Sequence, residues 1–243
     1  MDYKIIIALI AGLTLTSSLQ AQEKTSVNYQ PNERDSYYIE LLDLALQKTV
    51  DSYGQYELRP ADGTYTQREG LISMRKGGDI DVMQTMTSKP REMVFRPIRV
   101  PLAKGLLGFR LLLVKEGNAD ILAGKANKEG AKTLTYTQGA DWPDTEILEK
   151  NGFEVVTEKD YTKVVELFRT DRVDAFPRSI IEIWGEVENF DDFEVENNIA
   201  LQYPAPIYYF VNKRDKKLAE RIKVGLDIAI DDGSFDELFN KHF

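Results

Sequence analysis

The chain has 243 residues, with 31 Lys and Arg against 40 Asp and Glu, a formal net charge of -9 and 42% hydrophobic residues. That excess of acid repels phosphate backbones and anionic lipid, which excludes nucleic acid and membrane surfaces as partners. There is no Cys, and the only His is His242. Disulfides, thiol nucleophiles, Ser-His-Asp triads and His-ligated metal sites are therefore excluded, and no metal or other cofactor is expected.

In chain order, Lys4 precedes an apolar run from Ile5 to Leu15, and Thr-Ser-Ser-Leu-Gln-Ala follows. This is the pattern of a secretory signal peptide, cut after Ala21. The run is too short for a transmembrane span of about 20 residues, and there is no lipobox cysteine to carry a lipid. A soluble, monomeric periplasmic protein beginning near Gln22 is expected, long enough for one large domain or two small ones. Residues 26–30 read as a strand. Tyr38, Leu41, Leu42, Ala45 and Leu46 then lie on one helical face behind Asp35 or Ser36 as cap. After a strand over 56–60, Thr66 and Glu69 form a capping box that opens a helix ended at Gly77-Gly78, and 79–86 alternates as a strand.

The stretch 87–105 holds Lys89, Arg91, Arg96, Arg99 and Lys104 against Glu92 alone. A buried strand is predicted over 109–114, and a polar, Gly-dotted region over 115–132 marks a crossing or a surface excursion. The pattern then restarts: strand 133–137, turn 138–141, helix 142–151, strand 153–156, a helix capped by Asp160 and strand 173–176. A helix presenting Ile180, Ile183, Trp184 and Val187 follows. An acidic loop over 188–197 leads to strands 199–203 and 207–211, a helix from about Lys216, and a last helix whose Ser234-Phe-Asp-Glu reads as a capping box. Alternating strands and helices imply an α/β architecture with mostly parallel sheets. LISMRKGGDIDVM (71–83) and VVELFRTDRVDAF (164–176) share one order of features, with Asp81 and Asp174 equivalent, which predicts two similar lobes.

Taken together, LISMRKGGDIDVMQTMTSKPREMVF, GLLGFRLLLV, TLTYTQG, LFRTDRVDAF and the C-terminal IYYFVNKRDKKLAERIKVGLDIAIDDGSFDELFNKHF resemble the type 2 periplasmic solute-binding proteins related to the polar amino acid receptors of ABC transporters. The resemblance spans the mature chain. It implies the two-lobed periplasmic-binding-protein type 2 fold, each lobe a mostly parallel sheet flanked by helices. Lobe 1 is expected from 22–111 and 208–243, and lobe 2 from 112–207. Hinge strands are expected near Leu111–Val114 and Pro206–Tyr209, with the ligand in the cleft between lobes.

In that family an Arg after a Thr/Ser-rich strand end grips the ligand carboxylate, and Arg91 holds this place here, with Thr85, Thr87 and Ser88 before it. The spacing from the strand Asp to this Arg is two residues shorter than in the amino acid receptors. A planar guanidinium fork suits a carboxylate, while Arg96, Arg99 and Lys104 read as solvated loop charges. On lobe 2, the resemblance brings Gln138, Gly139 and Asp141 at a helix N-terminus to the cleft. Trp142 either covers the ligand or packs on its own lobe, and Tyr29 and Tyr65 are further aromatic candidates. Where the receptors carry an Asp for the ligand ammonium this chain has Ser179, with Arg178 before it as a second cationic grip.

The resemblance therefore implies a binding protein and not an enzyme. It would deliver a small anionic solute, a carboxylate or amino-acid-like, to an ABC importer. The alternative is a ligand-sensing receptor for a membrane kinase or cyclase. A dehydratase-like enzyme with Glu182 as acid is the weakest reading.

Overall fold

The computed structural model describes residues 24–31 and 36–243. The signal peptide read at 1–21 and the Asp35 cap lie outside the described residues.

Two sheets organise the chain. The first contains β1 (Thr25–Tyr29), β2 (Tyr56–Pro60), β3 (Val82–Met86) and β4 (Phe95–Ile98), and it is interleaved with α1 (Ser36–Gln47), α2 (Val50–Tyr53), α3 (Gln67–Lys76) and α4 (Lys89–Val94). The second contains β5 (Phe109–Lys115), β6 (Thr135–Gly139), β7 (Glu154–Glu158), β8 (Ala175–Ser179), β9 (Phe193–Val195) and β10 (Leu201–Gln202). Its helices are α5 (Lys128–Ala131), α6 (Pro143–Lys150), α7 (Tyr161–Phe168) and α8 (Ile183–Asn189). The chain then returns to the first sheet with β11 (Ile207–Asn212) and closes with α9 (Lys216–Asp231) and α10 (Ser234–His242).

The strand orders are β2-β1-β3-β11-β4 and β10-β5-β8-β6-β7, with β9 added on β5. In each sheet a parallel trio is flanked by an antiparallel strand, β11 in one and β5 in the other. The internal echo has a physical counterpart. The Asp81 amide donates to the Asn28 carbonyl at 2.8 Å, and the Asn28 amide donates to the Asp81 carboxylate at 2.8 Å. Asp174 and Thr135 make the same reciprocal pair, both bonds at 2.8 Å. Each Asp thus locks the strand after a helix-turn onto its parallel neighbour.

Local chemistry fixes the elements. In α1, Tyr37, Tyr38, Leu41, Leu42, Ala45 and Leu46 are buried, the face expected from their spacing. Helix α3 carries the predicted capping box: Thr66 accepts from the Glu69 amide at 3.3 Å, and the Glu69 carboxylate accepts from the Thr66 amide at 2.8 Å. Gly77, at φ 71°, ends it in the left-handed region open to glycine. The largest core lies between the first sheet and α1, α9 and α10, while the second sheet has a core on each face.

The chain crosses between sheets at 99–108 and 203–206, since Leu111–Val114 pair with β8 and Ile207–Tyr209 pair with β3. A Cβ at Gly108 would lie 2.3 Å from the Tyr203 carbonyl oxygen, so glycine is what lets the two crossings touch.

Three local readings differ. Helix α8 begins at Ile183, because the Ile180 amide donates to the Phe109 carbonyl at 2.9 Å and extends the strand past Ser179. The phase then turns outward, leaving Ile180 38% and Trp184 55% exposed. Helix α10 is capped by Gly233, and the Ser234 hydroxyl donates instead to the Asp232 carboxylate at 2.6 Å. The acidic loop contains β9, whose Phe193 ring packs 4.6 Å from Phe168.

Candidate functional site

Arg91 lies in the first turn of α4, where Ser88 caps the helix by accepting from the Arg91 amide at 3.4 Å and Pro90 fits the first turn. Its side chain is 7% exposed. The guanidinium donates to the Thr85 hydroxyl at 2.5 Å, the Met86 carbonyl at 2.7 Å, the Gln67 side-chain oxygen at 2.5 Å and the Asp141 carbonyl at 2.8 Å. Every one of these acceptors is neutral. Burial therefore pulls the guanidinium down to about 10, against the opposing pull of Asp144 and Asp141.

Asp141 belongs to the second sheet's β6–α6 turn, so its bond to Arg91 crosses from one lobe to the other. Its carboxylate is taken by Arg68 of α3 at 2.8 Å, with the Arg68 side chain 66% exposed. Both cross-cleft bonds thus converge on one residue.

Arg178 has a different environment. Its Nε donates to both oxygens of Glu186, at 2.9 and 2.7 Å, and its fork reaches Glu182 at 3.3 Å. The guanidinium lies 5.0–5.7 Å from the ring centres of Phe176, Trp142 and Tyr161. Burial lowers its affinity for the proton, but the charges of Glu182 and Glu186 outweigh this and hold it above the usual range. Arg178 is thus a matched cation in an aromatic box, not a free donor at the cleft. Beside it, Arg110 binds Asp144 at 2.7 Å and Glu182 at 3.4 Å, and Asp144 also accepts from the Tyr203 hydroxyl at 2.6 Å. Burial disfavours the Arg110 charge, and Asp144, Tyr203 and Glu182 together more than restore it.

Of the residues expected at the site, Arg91, Thr85 and Asp141 come together. Trp142 stacks on Phe176, with ring centres 6.3 Å apart, and covers Gly139, so it packs on its own lobe. The Gln138 amide donates to the Pro177 carbonyl at 3.1 Å. The Thr87 hydroxyl donates to Glu92 at 2.7 Å. The Ser179 hydroxyl donates to the Leu106 carbonyl at 3.2 Å, placing it at a crossing segment. Tyr29 packs on the first-lobe core, and the Tyr65 hydroxyl reaches Asp79 at 3.4 Å. Arg96, Arg99 and Lys104 are engaged by the Lys213 carbonyl, Glu92 and Asp236.

Sequence reasoning missed Gln67, Arg68, Arg110, Asp144 and Glu186. Arg110 alone left a sign, a charge opening the apolar run 109–114 that needs a buried partner. A cavity of about 700 Å³ lies elsewhere, lined by Val100, Pro101, Phe109, Pro204, Ile230 and Phe235, and shares no residue with the Arg91 cluster. Among the described residues no His, Asp and Glu cluster could hold a metal ion, and no helix is long and apolar enough to cross a membrane.

The sequence matches no family model and no curated protein. The fold, however, is widely shared. An arginine-specific periplasmic binding protein of Salmonella typhimurium superposes with a TM-score of 0.68 at 11% identity, over 90% of this chain and 99% of that one. An amino acid ABC transporter substrate-binding protein of Streptococcus pneumoniae, bound to L-arginine, gives 0.67 at 12% identity, over 90% and 93%. The periplasmic VFT2 domain of Bordetella pertussis BvgS gives 0.69 at 13% identity, over 90% and 93%. With paired α/β sheets, two crossing segments and a buried arginine between the lobes, the chain has the two-lobed fold of the periplasmic amino-acid-binding proteins.

Proposed function

We propose that this chain is a periplasmic solute-binding protein that captures a small, carboxylate-bearing, amino-acid-like solute between its lobes for an ABC importer. The observation that carries this reading is Arg91, a guanidinium 7% exposed at the lobe–lobe contact whose hydrogen-bond acceptors are all neutral. A buried cation without a direct counter-ion gains most from an incoming anion, because its solvation is already lost.

A solute with two negative groups has less support. It would need Arg178 as a second grip, and the Arg178 charge is met by Glu186 and Glu182. Asp141, which touches both Arg91 and Arg68, offers a carboxylate next to the cationic grip. A carboxylate on Arg91 with an ammonium near Asp141 fits this pairing better than two anionic groups. A dehydratase-like role is also weaker, since Glu182 is engaged by both Arg110 and Arg178. The sensor reading is supported by the likeness to the BvgS domain, and it requires the same site.

A thermal-shift panel of amino acids, dicarboxylates and sugar acids, followed by calorimetry on Arg91→Ala, tests the assignment. Binding should weaken by about 1.5–3 kcal/mol or more on loss of one charge-assisted bidentate contact. Equal affinity in wild type and Arg91→Ala would remove the site from Arg91.

A further inference from the structure

Arg91 is joined to Asp141, and Asp141 to a third residue, Arg68, that no carboxylate grip requires. Arg68 reaches across from α3 to the Asp141 carboxylate at 2.8 Å, while the Asp141 carbonyl accepts from Arg91 at 2.8 Å. Asp141 therefore occupies a guanidinium donor that a solute carboxylate would use, and Arg68 occupies the carboxylate that a solute ammonium would use. The Gln67 side-chain oxygen, on the same turn as Arg68, holds the same Arg91 nitrogen at 2.5 Å. The two ends of an amino-acid-like solute thus each meet an intramolecular competitor.

We propose that Arg68 is a positioning residue that holds Asp141 over Arg91, so that the cleft is closed by the chain's own charges and a solute enters by a double exchange. Its carboxylate replaces the Asp141 carbonyl on Arg91, and its ammonium replaces Arg68 on Asp141. This rests on Arg91 being the carboxylate grip. The two competitors differ in strength. Arg91 is buried and its bonds are shielded from solvent, whereas the Arg68 side chain is 66% exposed and its ion pair is screened by salt. Arg68 is thus the partner that gives way first, and ionic strength sets how readily it does so.

Phenylglyoxal, which labels accessible guanidinium groups, reads the exchange without any solute, with Arg91 scored by mass spectrometry against the exposed Arg172 as internal reference. In wild type at about 20 mM NaCl, Arg91 should label far more slowly than Arg172. Arg68→Ala and Asp141→Asn should label Arg91 faster by up to about fivefold, the range for one exposed pair. Raising NaCl to about 500 mM should speed wild-type labelling and leave Arg68→Ala unchanged. Arg68→Lys should restore most of the protection and Arg68→Met should not, since a purely steric role would be filled by methionine as well; equal protection in the two variants overturns the proposal. Equal Arg91 labelling in wild type and Arg68→Ala at low salt, or Arg68→Lys behaving as Arg68→Ala, overturns the proposal. That failure is separate from failure of the grip itself, which calorimetry on Arg91→Ala reads.

Discussion

Replacing Arg91 and Arg178 by methionine, one at a time, should cost stability for different reasons although both side chains are buried. For Arg91, at 7% exposed, the depression of its guanidinium to about 10 corresponds to a penalty of about 3 kcal/mol on the charged form. Methionine removes that penalty but also removes hydrogen bonds from a charged donor to Thr85, Met86, Gln67 and Asp141, worth about 1.5–3 kcal/mol each. The bonds outweigh the penalty, and Arg91→Met should lose about 3 kcal/mol or more while leaving neutral acceptors unpaired. Arg178→Met instead removes the cation paired with Glu186, 6% exposed, and breaking a buried pair in this way costs about 3–5 kcal/mol. Urea unfolding monitored by circular dichroism, without added solute, measures both. The pH dependence has a defined sign. Because the folded value of Arg91 is lowered, its penalty is present at every pH below about 10 and is relieved only as pH rises past that value toward the unfolded one. The difference between wild type and Arg91→Met should therefore be flat through neutral pH. Adding Glu186→Gln to Arg178→Met should recover part of its loss, because that loss comes from an uncompensated buried charge, whereas Arg91→Met leaves neutral groups behind. No recovery in the double variant would refute the distinction between an unmatched and a matched cation.

Other substitutions test the scaffold that sets this geometry. Gly225→Ala would put a Cβ 1.9 Å from the Ala45 carbonyl oxygen where α9 crosses α1, and the overpacking should destabilise by about 1–3 kcal/mol or more in thermal melts. Thr66→Ala removes the capping box of α3 and should cost about 1 kcal/mol by urea unfolding. Asp81→Ala and Asp174→Ala each delete one half of an equivalent strand lock. Hydrogen exchange should show matched loss of protection at the amides of Asn28 and Thr135, and loss at one site only would break the equivalence of the lobes.

The fold was legible because its signals are local and repeated. The i, i+3, i+4 spacing of α1, the Thr66–Glu69 box and the glycine stops each dictate a backbone state before any tertiary contact forms, and the Ile/Val-Asp step marked the same lock in both lobes. Where another hydrogen bond competed with the expected one, the local reading failed. The Ile180 amide prolongs a strand and shifts the phase of α8, and Ser234 bonds Asp232 rather than its own helix. The site was less legible for a related reason. Arg91 could be picked out by its place after a strand end. Gln67, Arg68, Asp144 and Glu186 sit on helices at spacings that solvent-exposed residues use equally well, and only the packing of other elements against those helices gives them partners.

The basic stretch 87–105 shows why counting charges along a chain does not locate a binding site. Arg96, Arg99 and Lys104 are drawn to the Lys213 carbonyl, Glu92 and Asp236 at the surface, where such contacts are worth little. Arg91 is the buried member of the group, and its acceptors are neutral. In the second lobe, Arg178 and Arg110 are equally buried and carry the same charge, yet Glu186, Glu182 and Asp144 meet them directly. Neutral acceptors alone do not mark a grip, since Arg221, 3% exposed, donates to Thr49, Leu46 and Gly54 inside the first lobe; what singles out Arg91 is neutral acceptors together with its place where the two lobes meet. By that criterion Arg91 is the partner we propose for an incoming carboxylate, and carboxylates that bind with unchanged affinity after loss of Arg91 would show the criterion to be wrong.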